Sequence, residues 1–203
     1  MLPRAKTCLT LQALAVLVMG CSTYTGTAET LRPRELREEP GWLAIQGVPM
    51  RRQVQEHDCG PTALSMVLDY HRPGSPAVVL ATASDQQVSV GELRDLARQR
   101  GYSAFVVAGT PEDLVYELKH KRPAIVGVAK PTLKGAVTHY EVVVGMNPNT
   151  QRIATLDPAA GWRQNSFAGF LTEWEATGRV LLVLVPAEPA PENPQPIAAR
   201  KPF

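Results

Sequence analysis

The sequence has little cysteine, few aromatic side chains and almost no net charge. Its 203 residues include three cysteines and 6% aromatic residues, and the formal net charge is +2 at pH 7. Arg4 and Lys6 account for that excess, because the remaining 19 basic side chains balance the 19 acidic ones. No basic stripe is visible, which argues against a nucleic-acid-binding surface. The length suits about one domain with a buried core.

Long apolar runs are also scarce, and one lies near the N-terminus. Residues 9–19 are mainly apolar and follow Arg4 and Lys6, but this run is too short to predict a membrane-spanning helix. It ends in Leu-Val-Met-Gly-Cys at residues 17–21, which resembles the lipobox of bacterial lipoproteins. A start of this kind is typical of an exported chain.

The lipobox resemblance implies a signal peptide over residues 1–20 and a lipid on Cys21. Ser22 resembles the sorting pattern of outer-membrane lipoproteins in Gram-negative bacteria, so we expect a lipid anchor in the outer membrane with the domain facing the periplasm. Residues 21–45 are then expected to form a lipidated tether. An ordinary secretory signal, cut somewhere after Ser22, is the alternative.

Cysteine usage follows from this start. Cys8 would leave with the signal peptide and Cys21 would carry lipid, so Cys59 would be the one thiol of the folded domain. It has no disulfide partner and no companion for a zinc site, and we expect neither a metal nor a cofactor. A lone exported cysteine is either buried and inert or reactive.

The position of Cys59 favours a reactive thiol. It stands directly before Gly60 and Pro61, and apolar residues follow at steps of three and four. The spacing predicts a helix that begins near Pro61 and ends around Tyr70–His71. Cys59 then lies at the positive end of the helix dipole, where backbone N–H groups favour its thiolate.

The rest of the chain predicts further helices and then an antiparallel sheet. Ser89, Thr110 and Ser166 are candidate N-caps of three helices. Short β-branched or apolar runs predict strands at residues 102–108, 124–129, 138–144, 152–157 and 180–185. This order predicts an α+β fold. With Cys59 on the first helix and candidate partners at strand ends, the architecture is that of a papain-like hydrolase, and we expect this domain over residues 46–186. The proline-rich residues 187–203 are expected to form a disordered tail.

A thiol nucleophile needs a base within hydrogen-bond reach and a third group that orients the base. His71 and His120 close predicted helices and are interpreted as surface caps. His57 is close to Cys59 in sequence but is expected to point elsewhere. His139 starts an apolar strand, where a purely structural role rarely requires histidine, so it is the favoured base.

The orienting group should be a carboxylate or amide at the end of a neighbouring strand. Asp157 closes the predicted strand that follows the one carrying His139, although an aspartate before Pro158 is also common in turns. Glu141 shares a strand face with His139 but should not contact its ring well. The alternatives are three amides, at Asn147, Asn149 and Asn165.

Attack on a carbonyl also requires donors for the oxyanion. The N–H of Cys59 at the helix start is one candidate. A side-chain amide of Gln53 or Gln55 is the other, and their spacing does not choose between them.

Three segments follow one another in the order Gln53-x5-Cys59-Gly60-Pro61-x-Ala63-Leu64, His139-Tyr140-x-Val142-Val143 and Leu156-Asp157-Pro158. Together they resemble the bacteriocin-processing cysteine peptidases, papain-like enzymes that cut leader peptides after a double glycine. The resemblance covers about residues 46–186. It implies that Gln53 serves the oxyanion hole, Cys59 is the nucleophile, His139 is the base and Asp157 orients it. The best-known members belong to ATP-driven exporters, whereas this chain is expected to be a free-standing lipoprotein.

Three functional hypotheses follow. The first is a cysteine peptidase that cuts a peptide or protein next to small residues through an acyl-enzyme. The second is an acyltransferase or transglutaminase-like enzyme, in which an amine takes the acyl group in place of water. The third is a peptide-binding module that does not cleave, which is disfavoured because all four site positions are filled. The expected partners are the peptide substrate and the membrane, through the lipid anchor.

Overall fold

The computed structural model describes residues 24–78, 87–133 and 135–187. The predicted signal peptide, the lipid on Cys21 and the proline-rich tail after residue 187 lie outside the described residues and stay predictions. Within the described ranges, no helix is long and apolar enough to cross a membrane.

The described residues form helices and strands that we number in chain order. The helices are α1 (Glu35–Glu38), α2 (Cys59–His71), α3 (Val90–Gln99), α4 (Pro111–Lys119) and α5 (Phe167–Glu175). The strands are β1 (Glu29–Thr30), β2 (Leu43–Ala44), β3 (Tyr102–Ala108), β4 (Ala124–Thr132), β5 (Gly135–Asn147), β6 (Arg152–Asp157), β7 (Gly161–Ser166) and β8 (Val180–Pro186).

The strands of this described part form one antiparallel sheet. Their order is β1-β7-β6-β5-β4-β8-β3. The short strand β2 pairs with the last part of β5, beyond the first residue of β4. The last strand, β8, therefore lies between β4 and β3. Helix α2 packs against β5, α3 against α2 and β3, and α5 against β4. The predicted α+β fold, with helices packed on an antiparallel sheet, is confirmed.

Side-chain caps fix the starts of three helices. Ser89 Oγ accepts a hydrogen bond from the N–H of Glu92, and the Glu92 carboxylate accepts one from the N–H of Ser89. Thr110 and Asp113 repeat this capping box at α4. Ser166 Oγ accepts from the third residue of α5. Each cap satisfies N–H groups that lack a helical partner, and the predicted starts of α3, α4 and α5 are confirmed.

Trp174 connects α5 to the last strand. Its side chain is fully buried, and its indole N–H donates to the carbonyl of Val180 at 2.9 Å. The ring of Phe170 packs beside it. Gly109 approaches so closely that a Cβ there would lie 2.8 Å from Trp174 and from Leu181, so this position has room only for glycine.

The chain before residue 46 packs on the domain, which corrects the prediction of a tether over residues 21–45 for its described part. Strand β1 pairs with β7, and the N–H of Leu31 donates to the carbonyl of Trp162 at 3.0 Å. The side chains of Leu31 and Leu36 are buried, with 2% and 5% of their surfaces exposed. Burial of this apolar surface offsets the entropy lost on ordering the segment.

Two further details differ from the sequence predictions. Helix α2 begins at Cys59, two residues before the predicted start. Its first four N–H groups have no helical partner in any case, so Pro61 fits as the third residue of the helix. Strand β7 was not predicted, because its Trp-Arg-Gln-Asn run is largely polar and half-buried. It follows Asp157 after a short turn, where Gly161 adopts a φ of +92°.

Candidate active site

Cys59 is the first residue of α2, and 2% of its surface is exposed. Its position places it among the unpaired N–H groups of the first helical turn, which favour negative charge. Burial raises the pKa of the thiol. Hydrogen bonds from His139, from the N–H of Tyr140 and from Gln87, together with the charge of His139, outweigh burial. The pKa of Cys59 therefore lies below its ordinary value.

His139 on β5 is held by Asp157 at the end of the neighbouring strand, β6. Asp157 Oδ1 accepts a hydrogen bond from His139 Nε2 at 2.7 Å and one from the N–H of Ala159 at 2.7 Å. Burial lowers the pKa of His139, but Asp157 and Cys59 reverse this and raise it to about 10. Burial raises the pKa of Asp157, yet the bond and charge of His139 bring it below its usual range.

Cys59, His139 and Asp157 therefore form one connected row. Because Nε2 of the imidazole is occupied by Asp157, Nδ1 is left for the hydrogen bond with Cys59. A lowered thiol pKa beside a raised imidazole pKa favours a thiolate–imidazolium pair at neutral pH. Such a pair supplies a nucleophile and a proton donor in contact with each other.

Gln53 lies in the loop before α2, and its backbone N–H donates to the carbonyl of Pro158 at 3.0 Å. Its side-chain Nε2 donates to the carbonyls of Gln55 and Glu56, at 2.9 and 3.2 Å. Its Oε1 is buried and has no hydrogen-bond partner among the described residues. This loop is thus anchored beside Asp157, and the assignment of Gln53 to the oxyanion hole stays a prediction.

The peptidase C39 family model matches residues 47–188, which is more than half of the chain. The chain belongs to the peptidase C39 family. It is accordingly a cysteine peptidase, a hydrolase, as the sequence predicted. A search of curated protein sequences finds no match.

Solved structures of bacterial peptidases have the same fold. The peptidase domain of Streptococcus ComA, a bifunctional ABC transporter, is 20% identical, with a TM-score of 0.57, and the match covers 69% of this chain and 99% of that domain. A double-glycine-motif protease from an AMS/PCAT transporter, solved with its leader peptide, is 22% identical, with a TM-score of 0.56 and coverage of 71% and 95%. At these identities the likeness concerns the fold.

Gln87 is a residue of this candidate site that the sequence did not indicate. Its Nε2 lies 3.5 Å from Cys59 Sγ and donates to the carbonyl of Thr138, the residue before His139. It therefore connects Cys59 to the strand that carries His139. It lies 28 residues from Cys59 and 51 from Thr138, so no local motif marks it.

The other candidates have different surroundings in the structure. His57 is exposed on the loop before α2, and His120 Nδ1 bonds to the carbonyl of Tyr116 at the end of α4. Asn147 Oδ1 accepts two backbone N–H groups of its own turn. Asn165 Oδ1 accepts from the hydroxyl of Thr27. The group that reaches His139 is Asp157.

Among the residues that the structure describes, one group of side chains could offer ligand atoms to a metal ion. A nitrogen of His139 and carboxylate oxygens of Glu141 and Asp157 lie within 4.8 Å of one another. Glu141 is already bound by the ammonium of Lys130 at 3.0 Å and by the hydroxyl of Thr155 at 2.6 Å. A cation between them would have to compete with this ammonium, so the arrangement fits an ion-pair network better than a metal site.

Proposed function

We propose that this cysteine peptidase cleaves polypeptides through Cys59, His139 and Asp157 with an acyl-enzyme intermediate. The observation that carries the proposal is the 2.7 Å bond from His139 Nε2 to Asp157. This bond leaves the other ring nitrogen, Nδ1, for Cys59 at the start of α2. Nucleophile, base and orienting group are thereby supplied by three adjacent elements, α2, β5 and β6.

The thiolate of Cys59 attacks the scissile carbonyl carbon and forms a C–S bond. The imidazolium of His139 gives its proton to the leaving amine as the C–N bond breaks, which leaves a thioester. Water then attacks the thioester, His139 takes its proton, and the C–S bond breaks to release the acid and restore the thiolate–imidazolium pair. Asp157 holds the ring throughout.

Donors for the oxyanion lie at the start of α2. The N–H of Cys59 belongs to the first helical turn, where it has no helical partner. Gln53 is the proposed second donor. In that role its Nε2 would leave the carbonyls of Gln55 and Glu56 as the substrate enters.

The substrate we propose is an extended segment with small residues beside the cut. Cys59 is almost fully buried and Gln87 lies against its sulfur, so a bulky side chain next to the scissile bond would meet both. The double-glycine-motif protease from an AMS/PCAT transporter was solved with the leader peptide, which supports a peptide ligand for this fold.

We also propose that the enzyme is a lipoprotein of the outer membrane that faces the periplasm, with the lipid on Cys21. The chain is already packed on the domain at Thr25, whose N–H and hydroxyl donate to Glu173. Three residues separate Cys21 from Thr25. Such an anchor would hold the catalytic domain directly at the membrane surface.

Cells that make the active enzyme or its Cys59→Ala variant test the proposed function. We expect new protein N-termini only with the active enzyme, and small residues next to the cut. Addition of a primary amine to purified enzyme and substrate distinguishes the second hypothesis, since amide products in place of acids would indicate an acyltransferase. Identical sets of protein N-termini in cells with the active enzyme and in cells with Cys59→Ala would contradict a peptidase activity that depends on Cys59.

A further inference from the structure

A largely buried ion pair adjoins the His139–Asp157 pair. Lys130 Nζ on β4 is 3.0 Å from Glu141 Oε1 on β5, and the other oxygen of Glu141 accepts from the hydroxyl of Thr155 on β6 at 2.6 Å. The side chains of Lys130 and Glu141 are 21% and 6% exposed. All three strands also carry or flank the triad, so this pair belongs to the same part of the sheet.

The cluster contains more acidic groups than basic ones. The carboxylates of Glu141 and Asp157 lie within 4.8 Å of each other. A second negative charge at this separation in a buried site opposes the ionisation of Asp157. The nearby Glu173 of α5 adds a third carboxylate, and the ring of Tyr24 lies 5.6 Å from Lys130. Lys130 is a cation that acts on both Glu141 and Asp157.

The neighbouring carboxylates raise the pKa of Lys130. Burial lowers the pKa of Lys130, but the charge and hydrogen bond of Glu141, with further contributions from Asp157 and Glu173, raise it above the ordinary value. The Lys130 charge in turn is among the groups that lower the pKa of Asp157. Lys130 thus stays positive beside the carboxylate that holds His139.

We propose that Lys130, held in place by Glu141, is a positioning residue of the triad. The positive charge of Lys130 keeps Asp157 ionised beside the second buried carboxylate, that of Glu141. This inference rests on the proposed roles of Cys59, His139 and Asp157. Without Lys130, the charge that helps to lower the pKa of Asp157 is gone, and Asp157 takes up a proton at higher pH. When that proton is on Asp157, His139 loses its ionic partner and the thiolate of Cys59 loses stability.

The test measures alkylation of Cys59 by iodoacetamide, which needs no substrate. The rate is followed by intact mass from pH 4 to pH 10 in five proteins: wild type, Lys130→Met, Lys130→Arg, Glu141→Gln and the double variant Lys130→Met/Glu141→Gln. Lys119→Met, the same change at an exposed site on α4, is the matched control. Thermal unfolding of each protein shows that it is folded.

We expect Lys130→Met to shift the acid limb of the rate profile to higher pH by about half a pH unit or more, because a positive charge has left the cluster. Glu141→Gln should shift the acid limb to lower pH, because a negative charge has left the cluster. The double variant should return to within about 0.3 of a pH unit of wild type. Lys130→Arg keeps the charge and should keep the limb in place, as should Lys119→Met.

A merely structural role would lower the unfolding temperature of Lys130→Met and leave the acid limb where it is, which would overturn the inference. An acid limb in the double variant that equals that of Lys130→Met would also overturn it. Failure of the proposed function is distinguishable, since an enzyme that cleaves nothing can still show these alkylation profiles.

Discussion

Asp157 binds the imidazole of His139 at Nε2, 2.7 Å from its Oδ1, and thereby leaves Nδ1 for Cys59. The same carboxylate oxygen accepts the N–H of Ala159, so its position is set by the turn between β6 and β7 as well as by the strand. The geometry of the site thus depends on the conformation of the turn that follows β6.

Replacement of Asp157 tests its orienting role. Asp157→Asn keeps the size of the side chain but removes the charge that stabilises the protonated ring. We expect kcat/KM to fall on the order of 10²–10⁴-fold, as when the orienting carboxylate of a triad is lost. Asp95→Asn, the same change at an exposed position, should leave kcat/KM unchanged. Full activity in Asp157→Asn would contradict the assignment.

The pKa of His139 predicts a pH dependence of stability. Its value in the folded protein is about 10, against about 6.5 for an unperturbed histidine. Folding therefore favours the protonated ring, and this contribution is fully present below about pH 6.5 and is lost as the pH rises through about 10. We expect the difference in urea midpoint between wild type and His139→Gln to shrink from pH 6 to pH 10. A constant difference would show that the ring is not held as a cation.

Gln87 provides a further test, because it donates toward Cys59 Sγ. Loss of this donor in Gln87→Ala should raise the pKa of the thiol and lower the thiolate population below neutral pH about two- to ten-fold. Gln87→Glu should have a larger effect in the same direction, because a carboxylate opposes the thiolate. Absorbance of the thiolate at 240 nm measures both. Gln99→Ala, the same change at an exposed residue of α3, is the control.

Much of the fold could be predicted from the sequence because the signals were local. Ser89 and Thr110 fix helix starts through bonds to residues three positions later, and β6 has the predicted bounds. Strand β7 escaped prediction because its pairing with β6 and β1 compensates for a polar sequence. The N-terminal segment escaped for a similar reason, since Leu31 and Leu36 are only two apolar residues in a charged stretch.

The site divides in the same way. Cys59 and His139 are recognisable one by one, as a cysteine before Gly-Pro and a histidine in an apolar strand. The contacts of Gln87 and of Lys130 depend on which strands and loops are neighbours in space. Glu141 could be placed on the face of His139 by strand periodicity, but its partner on β4 could not.

The packing of the N-terminal segment predicts an effect on stability. Leu31→Ala removes a buried side chain and should lower the free energy of unfolding by about 2–5 kcal/mol. Leu133→Ala makes the same chemical change at a fully exposed position, where a change within about 0.5 kcal/mol is expected. Urea unfolding of both variants checks this. Equal effects would mean that the segment before residue 46 does not stabilise the domain.

The central claim is that Cys59 is the nucleophile of a peptidase. Its most direct test is cleavage of an unfolded polypeptide by purified wild-type and Cys59→Ala proteins, followed by mass spectrometry of the products. We expect defined cuts with the wild type and a rate at least about 10³-fold lower with the variant, whose unfolding temperature should show that it is folded. Cleavage at the wild-type rate by Cys59→Ala would contradict the mechanism.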